Sequence, residues 1–274
     1  MDDLIQYNRE RWNALAEANY TYSRPFLDLD AAKARAWLDT QGSAPAGLLD
    51  NLRGKDVLCL ASGGGQQTAV FGLLGANVTV FDLSDTQLAR DRQAAAHYGY
   101  PLHIVQGDMR DLSGFDDDSF DLVWHPYSIN FSPDARVVLR HVGRILRSGG
   151  YYRLQFANPF VMGADETLWN CRGYTISHIY TDAAEVEFAD TVWDVWQEDG
   201  SIQKVVGPRE FRHALSTVVN TLVQIGFFIL GLWEDTDVAQ PDPNAEPGSW
   251  EHYIAVAPPF LRIWAVYRPE VLQP

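Results

Sequence analysis

The stretch that most narrows what this 274-residue chain can fold into is residues 55–82, KDVLCLASGGGQQTAVFGLLGANVTVFD. The apolar run at 57–60 has charge on one side and small residues on the other, the pattern of a strand buried on both faces of a parallel sheet. Gly63, Gly64 and Gly65 follow, then Ala69, Val70, Leu73 and Leu74 at helical spacing. Gly75 ends that helix, and residues 77–81 form a second strand that delivers Asp82. Strand, glycine turn, helix, strand and acid make one nucleotide-binding βαβ unit with a right-handed crossover. The glycines let backbone approach a ligand closely, and the helix N-terminus favours a carboxylate or phosphate. An acid at the tip of the second strand can accept hydrogen bonds from ribose hydroxyls.

A dinucleotide fingerprint would place a third glycine where this chain continues with Gln67 and Thr68, and there is no GK[ST] for a P-loop. The segment resembles motif I of the class I S-adenosylmethionine (SAM) dependent methyltransferases, in particular their broad small-molecule type 11 group. Two positions depart from that family: it usually carries an acid where this chain has Cys59 and a glycine where it has Ala61. The resemblance continues downstream. Gly107-Asp108-Met109 matches the place where an acid receives the adenine amino group, and LRSGGYYRL looks like the LRPGG turn before the fifth strand. Residues 211–217 are similar to the segment before the family's last helix. The likeness spans about 56–231. It implies SAM as cofactor, S-adenosylhomocysteine as product, and cofactor contacts from Ala61, Gly63, Gly65, Asp82, Leu83, Gln87, Asp108, Met109 and His125. Met109 is suited to stack on the adenine ring as a polarizable apolar contact.

Composition removes several function classes. A formal charge of −15 argues against nucleic acid as substrate, since phosphate binding needs a basic surface. No apolar run approaches a membrane span, and the acidic start MDDLIQYNRE is no secretory signal. Cys59 and Cys171 are the only cysteines, the first in an expected buried strand, so no disulfide and a cytoplasmic setting are expected. The seven histidines form no HxH or HExxH pattern and no CxxC exists, so no metal site is expected. Monomer and homodimer both stay open.

Along the chain, helices are expected at 4–18 and 29–40, with the aromatic segment 20–26 between them. In similar methyltransferases the N-terminal helices close over SAM, which would bring Trp12, Tyr20 and Tyr22 to the site; packing onto the sheet explains the same rings. A short helix is expected at 45–52. Ser84 with Gln87 reads as a capping box opening a helix that Gly99 ends. Strands follow at 102–106 and 120–124. The second delivers His125 to the carboxyl edge of the sheet, where ligands of open α/β folds sit. There His125 is the first choice as general base, because an imidazole titrates near neutrality, while a SAM contact or a structural role is the competing reading. Tyr127 and Asn130 are the alternatives.

Ser132-Pro133 is expected to open the next helix, whose Arg136, Arg140, Arg144 and Arg147 fall on one stripe, read as a solvated face. After a strand at 151–156 the βα alternation breaks. The insert at 158–206 carries Trp169, Tyr174, His178, Tyr180, Phe188, Trp193 and Trp196, alternates as a strand over 185–196 and turns at Asp199-Gly200. The resemblance makes it a substrate lid, with Tyr20, Tyr22, Asn130, Trp169, Trp193, Trp196 and His213 as candidate acceptor contacts; packing of the lid explains its rings equally well. An amphipathic helix is expected at 209–225, a strand at 227–233, an acidic proline-rich loop at 234–249, and a final strand at 260–267.

The expected fold is therefore α/β: a Rossmann-like, seven-stranded doubly wound sheet with an antiparallel last strand, N-terminal helices and a lid after strand five. One methyltransferase domain would cover 1–274, with a helical cap at 1–52, the SAM-binding core at 55–157, the lid at 158–206 and the rest of the core at 207–274. The expected reaction is methyl transfer from SAM to an oxygen, nitrogen or carbon of a small, aromatic or apolar molecule. A SAM- or S-adenosylhomocysteine-binding protein without catalysis is the alternative; a nicotinamide-dependent oxidoreductase is disfavoured by the absent third glycine.

Overall fold

In a computed structural model that describes residues 2–38, 42–165, 167–176, 178–187, 191–236 and 240–272, the apolar run of the first strand becomes the middle of a sheet. Helices α1 (Asp3–Glu17) and α2 (Ala31–Leu38) precede β1 (Asp56–Leu60). Then come α3 (Gln67–Leu73), β2 (Asn77–Asp82), α4 (Asp85–Tyr98), β3 (Leu102–Gln106) and β4 (Phe120–His125). They are followed by α5 (Ala135–Ile145), β5 (Leu146–Ala157), and the hairpin of β6 (Val192–Trp196) and β7 (Ile202–Val206). The chain closes with α6 (Leu215–Gln224), β8 (Phe227–Asp235), α7 (Trp250–Val256) and β9 (Phe260–Tyr267). The seven-stranded sheet has the order β3-β2-β1-β4-β5-β9-β8. Its first five strands are parallel, and β9 runs antiparallel between β5 and β8.

Both faces of β1 are covered, which is why its sequence is continuously apolar. Leu58 and Leu60 join Leu139, Val142, Val218 and Leu222 under α5 and α6. Val57 and Cys59 join Val70, Phe71, Leu88 and Ala34 under α3, α4 and α2. Only half of the capping box forms. Ser84 Oγ accepts from the Gln87 amide at 3.0 Å, but the Ser84 amide donates to Asp82 Oδ1 at 2.8 Å and the Gln87 side chain donates to Ser23 Oγ at 2.9 Å.

Several expectations need correction. Residues 45–52 are turns rather than a helix, with Gly47 at φ 78°. The α5 N-cap is Asp134, whose carboxylate accepts from the Arg136 amide, and not Ser132. Arg147 lies beyond the end of α5, so the arginine stripe is shorter than expected. Among the described residues of 185–196 only β6 is a strand; Glu185 makes an isolated bridge to Phe211, and Phe188 lies outside the described residues, as do Thr40 and residues 237–239. The expected helix at 209–225 begins only at Leu215. Before it the chain is extended, because Phe211 and Arg212 donate backbone hydrogen bonds to Asn130 and Ala184. The helix start is then held from outside: Asp182 accepts from the Ala214 amide at 2.9 Å and the Thr217 hydroxyl at 2.8 Å. A cap supplied by a distant residue leaves no local signal.

At the antiparallel end, Arg262 of β9 donates to the carboxylate of Asp235 on β8 and to Ser43 Oγ at 3.1 Å, while Gln155 of β5 donates to Asp235 at 3.0 Å. Asp235 is completely buried. Removing one partner of such a pair leaves an uncompensated buried charge. Asp235→Ala is expected to lower stability by about 3–5 kcal/mol in urea denaturation.

Candidate active site

A cavity of about 700 Å³ opens at the carboxyl ends of β1, β2, β4 and β5, beneath α1 and the segment that follows it. That volume is within the range of small-molecule sites, roughly 300–1,000 Å³. On one side stands the glycine turn. Ala61 adopts φ 45° and its amide donates to the Phe81 carbonyl at 2.7 Å. The Gly63 amide donates to Asp82 Oδ2 at 2.8 Å, and a Cβ at Gly63 would lie 2.6 Å from Gln87 Cβ and 3.0 Å from Asp82 Cγ. Glycine is required there by the close approach of the strand-tip carboxylate. Burial lifts the Asp82 carboxyl to about 6, against the backbone donors of Ser84, Gly63 and Leu83. Leu83, Gln87, Asp108 and Met109 line the same side. Asp108 is already engaged: Arg110 donates to it from its amide at 2.9 Å and its Nε at 2.7 Å, and reaches on to Asp2 at 3.0 Å. A buried carboxylate with spare acceptor capacity beside the apolar Leu83 and Met109 fits a nucleoside.

The other side of the cavity is aromatic. Trp12 meets Phe131 edge-on at 5.2 Å and Trp193 at 5.8 Å, and Tyr20 lies 5.4 Å from Trp193. Tyr127 contacts Phe260 at 5.1 Å and donates its hydroxyl to the carboxylate of Glu210. Glu210 is only 5% exposed. Burial raises its carboxyl to about 7, and burial together with Glu210 raises the Tyr127 phenol well above its usual value. Deeper in, the Arg153 guanidinium stacks 4.3 Å above the Trp124 ring.

Of the residues expected at the site, Ala61, Gly63, Asp82, Leu83, Gln87, Asp108, Met109, Tyr20, Tyr22, Tyr127 and Trp193 line the cavity. The others lie elsewhere. His125 is fully buried, because side chains alternate along β4: Trp124 faces the cavity and His125 turns the opposite way to share a hydrogen bond with Tyr152 Oη at 2.8 Å. Burial, reinforced by nearby Arg153, pushes its imidazole down to about 3, the opposite of what a base at neutral pH needs. Asn130 is a latch: its Oδ1 accepts from the Ala157 amide at 2.9 Å and its Nδ2 donates to the Phe211 carbonyl at 2.9 Å. His213 is buried against the Ile129 carbonyl at 3.1 Å. Trp169 packs on Tyr174 and His252, and Trp196 is 59% exposed. Gly65 faces the scaffold, where a Cβ would stand 2.7 Å from the Arg90 carbonyl and 2.8 Å from Pro25 Cβ.

Two residues escaped the sequence reading. Glu210 falls in the helix expected at 209–225, which begins only at Leu215. Asp91 sits on the buried face of α4 with Gln87, Leu88 and Ala94, and an acid within that inward stripe was the available signal. Its Oδ2 accepts from the Gly64 amide at 3.0 Å, while its Oδ1 accepts from the Gly65 amide at 3.0 Å and the Thr68 hydroxyl at 2.7 Å. Burial lifts the Asp91 carboxyl to about 7. It thus holds the glycine turn from the helix, while Cys59 of the first strand is buried in the core. Asp91→Ala leaves three buried donors unpaired, and is expected to cost about 3 kcal/mol or more in thermal or urea denaturation.

Comparison with known proteins agrees with this geometry. A family model described as a methyltransferase domain matches residues 58–154. A Bacillus subtilis protein described as uncharacterized methyltransferase YbaJ is 31% identical over 246 residues, 86% of this chain and 92% of that protein. A sarcosine/dimethylglycine N-methyltransferase of Halorhodospira halochloris is 36% identical over 113 residues, 40% of this chain and 39% of the other. Among solved structures, a Mesorhizobium loti S-adenosylmethionine dependent methyltransferase shares the fold with a TM-score of 0.59 at 23% identity, covering 86% of this chain and 99% of that one. With a methyltransferase related along nearly its whole length, the expected sheet order and a cavity lined by the glycine turn and Asp82, this chain belongs to the class I SAM-dependent methyltransferases.

Proposed function

We propose that the protein transfers the methyl group of SAM to a small, largely apolar acceptor, and that it does so in the cytoplasm. The observation that carries the reading is continuity: the glycine-turn half and the aromatic half belong to one cavity. SAM, when bound, supplies an electrophilic methyl on a sulfonium. Asp82 would accept hydrogen bonds from its ribose hydroxyls, the backbone at Ala61 and Gly63 would give close approach, and Leu83, Met109 and Asp108 would hold its adenine. Gln87 ties this floor to the cap through Ser23. Trp12, Tyr20, Tyr22 and Trp193 wall the acceptor side and exclude water, which favours a step in which charge disappears. The small-molecule name of the Halorhodospira relative supports an acceptor of that size. Both cysteines are free, which supports the location.

Three outcomes test this. Calorimetric titration with SAM is expected to give micromolar binding that Asp82→Ala abolishes. Since Asp82 titrates at about 6 and accepts hydrogen bonds best when ionised, affinity is expected to be about tenfold weaker at pH 5 than at pH 7.5. Asp82→Asn flattens that dependence. Trp193→Ala, which opens the aromatic wall, is expected to reduce acceptor turnover about tenfold or more with SAM affinity kept. Trp196→Ala, at an exposed position, leaves both within about twofold.

A further inference from the structure

We propose that Glu210 is the proton acceptor of the methyl transfer, with Tyr127 as its hydrogen-bonded partner, and that the substrate is a flat, apolar molecule carrying a hydroxyl on an aromatic ring. This rests on the methyltransferase reading and gives it a substrate class. Among the described residues that line the cavity, the carboxylates are Asp82, Asp108 and Glu210, and no histidine is present. Asp82 is bound by the Gly63 and Ser84 amides, and Asp108 by Arg110. Both stand on the cofactor side. Glu210 is the one on the aromatic side, and its hydrogen bond comes from Tyr127, which itself lines the cavity.

No cation among the described residues neutralises this carboxylate. The neighbouring Arg209 turns outward to pair with Glu185, and Arg212 spends its guanidinium on the Ile179 and Met162 carbonyls at 2.8 Å each. An acid buried among aromatic rings without a cation is expensive to keep for structure alone. A chemical task explains it. As the acceptor oxygen bonds to the methyl carbon, the carbon–sulfur bond breaks and its electron pair stays on sulfur, giving S-adenosylhomocysteine. The hydroxyl proton passes to a Glu210 oxygen, directly or through the Tyr127 hydroxyl, and later to water. A sulfonium and a carboxylate enter the step, and a thioether, an ether and a carboxylic acid leave it. All charge is lost, as an apolar wall favours. Burial brings the Glu210 carboxyl to about 7. That is within reach of a phenol, whose ordinary value is about 10, whereas an aliphatic alcohol is far too weak an acid. The edge-on rings of Trp12, Phe131 and Trp193 bound the space on which such a ring would lie.

The test uses purified protein with labelled SAM and five probes: catechol, naphthol, para-nitrophenol, benzylamine and indole. SAM affinity is measured in parallel by calorimetry on wild type, Glu210→Gln and Tyr127→Phe. Wild type is expected to methylate the hydroxyl probes. Glu210→Gln slows catechol and naphthol by about 100-fold and Tyr127→Phe by about tenfold, with SAM affinity unchanged within about twofold. On para-nitrophenol at mildly alkaline pH, where the hydroxyl is already ionised, Glu210→Gln loses less than about threefold. A merely structural role would slow every probe alike, and that result overturns the proposal. So does a Glu210→Gln rate on naphthol within about threefold of wild type. Transfer confined to benzylamine or indole overturns the substrate class and leaves the methyltransferase reading standing; failure of wild type to bind SAM overturns both.

Discussion

The carboxylate of Asp91 is the contact on which the rest of the site depends. A chain reversal through three glycines leaves backbone donors without partners, and two of them point into the space between β1 and α4, where water does not reach. One helix residue takes both, together with the Thr68 hydroxyl. Once α4 is pinned there, Ser84 at its start fixes the β2 tip and Asp82 is held at the cavity floor. Cys59 of β1 then serves as an apolar filler in the core beneath the turn.

The same turn also anchors the cap. Gln66 donates to the Thr21 and Arg24 carbonyls, Gln87 to Ser23, and the Phe26 amide to the Gly65 carbonyl. Farther along, Asn8 of α1 exchanges hydrogen bonds with the backbone of Arg209, next to Glu210. The cap therefore touches both halves of the cavity through side-chain amides, which donate and accept at once and suit a surface made of backbone. The opposite face of the sheet is closed by α5 and α6 and takes no part, which is where the alternation along β4 sends His125.

Much of the architecture was legible from residues 55–157, because buried parallel strands, helix stop signals and turn glycines are local features. The βα succession and the β6–β7 hairpin follow from such signals, whereas the antiparallel end was implied by the resemblance. What failed was decided at long range. The N-terminus of α6 is capped by Asp182, some thirty positions earlier, so periodicity alone extended that helix through Glu210, Arg212 and His213. That extension hid Glu210, the acid that lines the aromatic side among the described residues. His125 was suggested by its chemistry: β4 runs on through it, and alternation along the strand turns it away from the cavity toward Tyr152. Asp91 lay in view on an inward helix stripe, yet only coordinates show that its partners are the glycine amides.

The bonds between cap and glycine turn have a kinetic consequence. A ligand that enters past residues 20–26 must wait for that segment to lift, and lifting breaks hydrogen bonds from Gln66, Gln87 and Phe26, the bond from Arg24 to the Trp196 carbonyl, and the packing of Tyr20 on Trp193. Cofactor arrival by that route is then governed by a conformational equilibrium within the chain rather than by diffusion, and product departure meets the same barrier from inside. Residence time in this cavity would be set by a few amide side chains that never touch the reacting atoms.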